Sequence, residues 1–510
     1  MRKRLVKIAV LCLALAMALS MLTACGGGGS EAENDGTSLT IGSDTDYSTL
    51  HPANYSSTIE QRTEDQIYDT LLCRDTVDQE TLIPRVAESW DVSEDGKCYT
   101  FHLRQGVKFQ NGTELTAKDV AFTLDLYSKS EYQGAVVDGF DHYELVDDYT
   151  IKVYTTEVYA PFLPSMAQMF LASKDYYDEA GEDKFAQEPI GCGAYKWVSH
   201  EIGNKWTLEA FDEYYGGAPE IKNVTFKVIN DVTTMGVGLR NGEIDFAEIN
   251  DPSYVGELEK DDNVVVEKVS RTMFGFVAMN TEKEPFNNPD FRKAINYAMN
   301  REDIVTSVKE GYADVNSNLV TPGKMGYSDS QTQYNFDPAK AKEYLEKAGI
   351  PEGYDLGTMY VAEQYKSLAT IVQSNLADVG LNCNIEILEF NAYLQKLGQG
   401  DFTITCLQMV LEGDTQQMSM ALCSDYIGMA NNARYSDPEI DQWFKDAAAT
   451  IDEGERTAIY EKIFSKVQDE AVYAVLYNPE LLYAHNAKLH VPAGFPLEGK
   501  FYISDFSWEA

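Results

Sequence analysis

Histidine is scarce in this chain, with six in 510 residues, at positions 51, 102, 142, 200, 485 and 490. There is no HExxH, no GxSxG and no glycine-rich phosphate loop closing on Gly-Lys-Ser/Thr, so no motif demands catalysis. Carboxylate pairs arise by chance among 82 acidic residues and carry no weight. Of eight cysteines none stands in a CxxC pair, which removes the common redox and zinc spacing. Basic residues are also short, 41 against 82 acidic, for a net charge of −41. That balance excludes nucleic acid and anionic lipid as electrostatic partners. Neither a metal nor a cofactor is expected.

Long apolar runs are missing too, with one exception. Ile8 to Leu22 follows a cationic head (Arg2, Lys3, Arg4, Lys7) and ends in small residues, the pattern of a secretory signal. At 15 residues it is short of the roughly 20 that cross a bilayer. The stretch Leu22-Thr23-Ala24-Cys25 resembles a bacterial lipobox, which implies cleavage before Cys25 and a lipid on its thiol. Residues 25–38, largely Gly, Ser and acids, then read as a flexible tether on the order of 20 Å between its ends. Loss of residues 1–24 removes four bases and no acid, leaving 37 against 82 and a net charge of −45. The remaining 486 residues exceed one core, so two or three lobes are expected.

The body alternates strand and helix signals. Asp95-Gly96 predicts a type I′ hairpin turn. Tyr99, Phe101 and Leu103 then form one apolar strand face, with His102 off it. Asn111-Gly112 reads as a turn and Thr116 with Asp119 as a helix start. Asn288-Pro289 opens a helix whose stripe is Phe291, Ala294, Ile295, Ala298 and Met299. Asp337-Pro338 opens another, with Ala341, Tyr344, Leu345 and Ala348 inward and Gly349 as its stop. Strand 358–361, a helix with Leu368, Ile371, Val372, Leu376 and Val379 inward, and strand 382–388 predict a parallel pair with a right-handed crossover. Cys383 and Cys406 keep the two-residue phase of apolar neighbours and read as buried thiols.

Several blocks in order carry a family resemblance. They are AESWDVSEDGKCYTFHLRQGVKFQNGTELTAKDV from Ala87, LHP at 50–52, IGCGAY at 190–195, YYGGAPEI at 214–221 and NGEIDF at 241–246. MNTEKEPFNNPDFRKAINYAMNREDIV at 279–305 and YNFDPAKAKEYLEKAGI at 334–350 complete them. Together they resemble the extracytoplasmic solute-binding proteins of family 5, the peptide and nickel receptors of ABC importers. The resemblance implies an α/β, two-lobed periplasmic-binding-protein-like fold of type II with an extra subdomain, around a central cleft and hinge. It implies lobe I at 39–275, including a subdomain at about 57–189, lobe II at 276–484, and a C-terminal return to lobe I at 485–510.

The implied role is a monomeric receptor, not an enzyme, that is anchored to the cell membrane by lipid and delivers a peptide or similar small solute to a permease and ATPase. A nickel chelate or other non-peptide solute is the alternative, followed by a lipid-anchored hydrolase and, as a third option, a surface signalling receptor. Peptide-binding members place an Asp against the ligand's α-amino group, and Asp414 fits that position, although Leu411 stands where a Trp is usual. The other expected ligand contacts are Asp46 and Tyr47 in lobe I, Phe276 and Asn280 near the hinge, and Leu411 and Arg434 in lobe II.

Overall fold

The computed structural model describes residues 36–75, 81–270, 273–410, 414–492 and 500–509. The signal segment, Cys25, the tether as far as residue 35 and Leu411 lie outside these described residues.

The first lobe is built on strand Ser38–Ser43, whose Leu39 and Ile41 are buried. It runs parallel to Asn223–Val228 on one side and to Phe246–Glu248 on the other. The NGEIDF turn lies against it. Asp245 Oδ2 accepts from the Thr40 amide at 2.8 Å, while the Asp245 amide donates to the Thr40 carbonyl. The end of the chain returns to this lobe: Phe501, Ile503 and Phe506 join its core, and Trp508 Nε1 donates to the Ser38 carbonyl at 3.0 Å.

A second core, reaching from Ala53 to Cys192, fills a four-stranded antiparallel sheet and its covering helix, Ala117–Tyr127. Strand Cys98–Leu103 buries Tyr99, Phe101 and Leu103, while His102 faces out and meets Asp91 at 3.1 Å. The turn before it departs from type I′. Gly96 alone has a positive φ (69°), and the strands end at Val92 and restart at Cys98, so a longer loop with one left-handed glycine replaces the tight turn. At Thr116 the expected helix start is present, its amide donating to Asp119 Oδ2 at 2.9 Å.

IGCGAY is a junction between this core and the first lobe. A Cβ on Gly193 would lie 2.5 Å from the Tyr68 carbonyl oxygen, and one on Gly191 2.1 Å from that of Ile67. Glycine is therefore required here by close approach rather than by φ. Gln110 completes the joint by donating from Nε2 to the Ile67 and Tyr195 carbonyls, each at 2.8 Å.

In the second lobe, strand Met273–Met279 sits between Ile404–Val410 and Tyr473–Asn486, antiparallel to both. Its apolar run MFGFVAM is continuous because both faces are covered. Val277 and Met279 point into one core with Phe291, Ile295 and Leu345, whereas Phe274 and Phe276 point into another with Phe444 and Phe464. Helices Pro289–Ala298 and Pro338–Lys347 start at the expected Asn288 and Asp337 caps. Tyr344 and Ala348 are only partly buried, since that helix lies at the edge of its core. The predicted parallel pair is present as Tyr354–Ala362 with Leu381–Leu388. Cys383 and Cys406 are buried, but Ile387 is 38 % exposed, because the last turn of its strand runs past the core. All six body cysteines are free thiols.

One strand serves both lobes. Tyr473–Asn486 pairs at its start with Met273–Met279 and Ala313–Val315, and farther along with Val264–Ser270 and Phe246–Glu248. Among the described residues no helix is long and apolar enough to cross a membrane.

Candidate functional site

A cavity of about 330 Å³ lies where the 53–192 core meets the second lobe. Leu82, Trp90, Tyr99 and Leu163 wall it from the former, and Met325, Asp414 and Arg456 from the latter. The two sides also touch beside it: the Ala160 amide donates to the Ala448 carbonyl at 2.7 Å, and a Cβ on Gly96 would contact Ile451. Two other cavities sit within one side only. One of about 230 Å³ opens at the carboxyl ends of the parallel strands of the first lobe, around Ser43 and Glu248, and one of about 770 Å³ lies among Asn300, Asn316 and Tyr334. A ligand favours closure of two lobes only if it contacts both, which singles out the bridging cavity over the larger one among Asn300, Asn316 and Tyr334.

Asp414 stands just after strand Ile404–Val410 and caps a short 3-10 turn, Oδ1 accepting from the Gln416 amide at 2.8 Å. No described residue donates to Oδ2, so one carboxylate oxygen is left for a ligand. Tyr159 and Tyr460 feel this charge. Burial raises both phenols well above their ordinary range, and Asp414 raises them further, so they stay protonated donors. Tyr460 already donates to Gln416 Oε1 at 2.8 Å.

Arg456 lies in the first turn of helix Glu453–Asp469, which Asp452 caps. Its side chain is buried, and Nε has no acceptor. It lowers the phenol pKa of Tyr99 and of Tyr460, against the larger upward effect of burial, which leaves Tyr99 at about 12. Arg456 and Asp414 thus share the second-lobe wall of one small cavity with Glu453, opposite a wall of Leu82, Trp90, Tyr99 and Leu163 that also carries Arg74 and Thr81.

The residues chosen from sequence do not gather there. Asp46 is already bonded: His200 Nε2 meets Oδ1 at 2.8 Å, and the Gly203 amide donates to Oδ2 at 2.7 Å. Tyr47 is buried in the first-lobe core, its ring stacked 4.1 Å from His200 and its hydroxyl accepting from Trp197 Nε1. Burial pushes its phenol up to about 12. Phe276 is fully buried inside the second lobe. Asn280 is also fully buried and donates to the Gly400 and Phe402 carbonyls. Arg434 pairs with Glu282 at 2.6 Å and donates to the Gly398 carbonyl. Asp414 alone of these lines the bridging cavity.

Arg456, Trp90 and Tyr460 went unnoticed in the sequence. A signal for Arg456 was there: with Tyr460, Ile463, Phe464 and Val467 it occupies the buried stripe of its helix, where a cation is out of place. Among the described residues no group of three His, Cys, Asp or Glu side chains could hold a metal ion.

The family profile described as "Bacterial extracellular solute-binding proteins, family 5 Middle" matches residues 81–426. The dipeptide-binding protein of Escherichia coli (strain K12) is 29 % identical over 440 residues, covering 79 % of this chain and 81 % of that protein. Heme-binding protein A of Haemophilus influenzae is 28 % identical over 422 residues, covering 76 % and 77 %. Among solved structures, an ABC transporter-associated periplasmic binding protein from Helicobacter pylori in complex with the peptide STSA superposes with a TM-score of 0.76. The identity is 28 %, covering 93 % of this chain and 98 % of that one.

Proposed function

The chain belongs to the bacterial extracellular solute-binding proteins of family 5, and from that premise we propose a lipid-anchored receptor that captures a peptide between its lobes and presents it to an importer. The observation that carries the peptide reading is Asp414, held at the rim of a strand with one free carboxylate oxygen in the cavity that bridges the two sides. A carboxylate in a partly desolvated site makes a charge-assisted hydrogen bond to an ammonium group that neutral competitors cannot match. Contacts from both walls give the ligand its differential affinity for the closed form, and that difference signals occupancy to a permease. Binding alone suffices for this role, and no turnover is assigned.

Calorimetry with a dipeptide and tripeptide library tests the reading. Asp414→Ala is expected to weaken the tightest peptide by roughly 10- to 100-fold, the value of one charge-assisted hydrogen bond. Unchanged affinity in that variant would remove Asp414 as the amine anchor. Saturation by a nickel chelate but by no peptide would transfer the role to the alternative solute.

A further inference from the structure

Among the described residues the other buried or half-buried arginines are spoken for. Arg62 pairs with Glu248 and Arg85 with Asp69, while Arg292 and Arg301 donate to backbone carbonyls such as those of Glu470 and Val475. Arg456 is the exception. It is 8 % exposed, its Nε has no acceptor, and its other guanidinium nitrogens donate to no described residue. Glu453 shares the cavity rim but is exposed and forms no ion pair with it. A buried guanidinium without an acceptor is costly, and a fold that keeps one facing a cavity leaves its donors for something that enters. A planar guanidinium suits a carboxylate, which it can hold through two parallel hydrogen bonds.

We infer that Arg456 is the carboxylate anchor of the bridging cavity, so that the solute is a compact zwitterion with its amine toward Asp414 and its carboxylate toward Arg456. This rests on the receptor reading above and narrows it. At about 330 Å³ the cavity is at the small end of ligand sites, which favours a dipeptide-sized molecule over a long peptide threading through. Arg456 and Asp414 come from different segments of the second lobe, and Trp90 and Leu163 close the opposite wall. Asp414 and Arg456 thus read the charged ends from one side, while the other packs the side chains and also carries Arg74.

The test uses the mature protein and the tightest dipeptide from a free dipeptide library, with its N-acetyl and C-terminal amide derivatives. Wild type should lose about 10- to 100-fold in affinity on amidation. Arg456→Met should lose as much for the free acid, bind acid and amide alike, and still discriminate against the N-acetyl form. Asp414→Asn should show the reverse pattern. The melting temperature of ligand-free Arg456→Met should equal or exceed that of wild type, because an unpaired buried charge is removed.

If Arg456→Met still discriminates against the amide, or weakens acid and amide equally while its ligand-free melting temperature falls, the inference is overturned and the receptor reading stands. If Arg456→Met behaves as expected but Asp414→Asn is silent, the amine anchor fails and the carboxylate anchor stands. Should no dipeptide bind wild type at all, both fall.

Discussion

Asp245, in the NGEIDF turn, is 7 % exposed, and burial raises its carboxyl to about 6 despite the hydrogen bond from the Thr40 amide. Its ordinary value is 3.8. Below about pH 4 the group is protonated in both folded and unfolded chains, and its contribution is fully present. As pH rises through 6 the fold retains a proton that the unfolded chain has already released, so stability is lost. Asp245→Asn cannot ionise and should gain on wild type by up to about 3 kcal/mol between pH 4 and pH 7.5, measured by urea unfolding at both. A mutant-to-wild-type difference that does not vary with pH would refute the assignment. Asp65, also raised to about 6 by burial, stays in both proteins and cancels in the comparison. Sequence reading could find Asp414, because its place after a strand and a glycine follows the family pattern. It could not find the bonds that occupy Asp46 or Asn280, since His200 and Gly400 lie 154 and 120 residues away along the chain.

At the scale of elements the sequence was more informative, because caps and periodicity are local. Asn288, Asp337 and Thr116 each start a helix as their side chains predict. The Asp95-Gly96 turn was misread, because the dipeptide alone does not set loop length and only Gly96 takes the left-handed backbone. Glycines with ordinary φ are harder still to interpret: what Gly193 avoids is the carbonyl of Tyr68, 125 residues earlier. Gly193→Ala should therefore destabilise by about 1–3 kcal/mol as the junction is forced apart. A denaturant midpoint unmoved by this change would show that the loop can shift freely. By contrast, Gly106→Ala, which meets nothing within 4 Å, serves as a control for the strain of a positive φ alone.

For the whole molecule, a net charge of −41 works against attraction of the body to an anionic membrane. Residence there would depend on lipid at Cys25, and two acyl chains on one residue are enough for stable anchoring where a single chain is marginal. Labelled palmitate should enter wild type but not Cys25→Ala, and the latter should partition with the aqueous fraction; label in Cys25→Ala would defeat the anchoring proposal. The strand Tyr473–Asn486 has a further consequence, for biosynthesis. It supplies the neighbour of Phe246–Glu248 and precedes the segment whose Trp508 bonds to Ser38, 470 residues upstream. Neither lobe can complete its sheet until that late strand has been synthesised, so the nascent chain remains open while most of it is made. Such delay suits a polypeptide that must thread a narrow export channel before it folds.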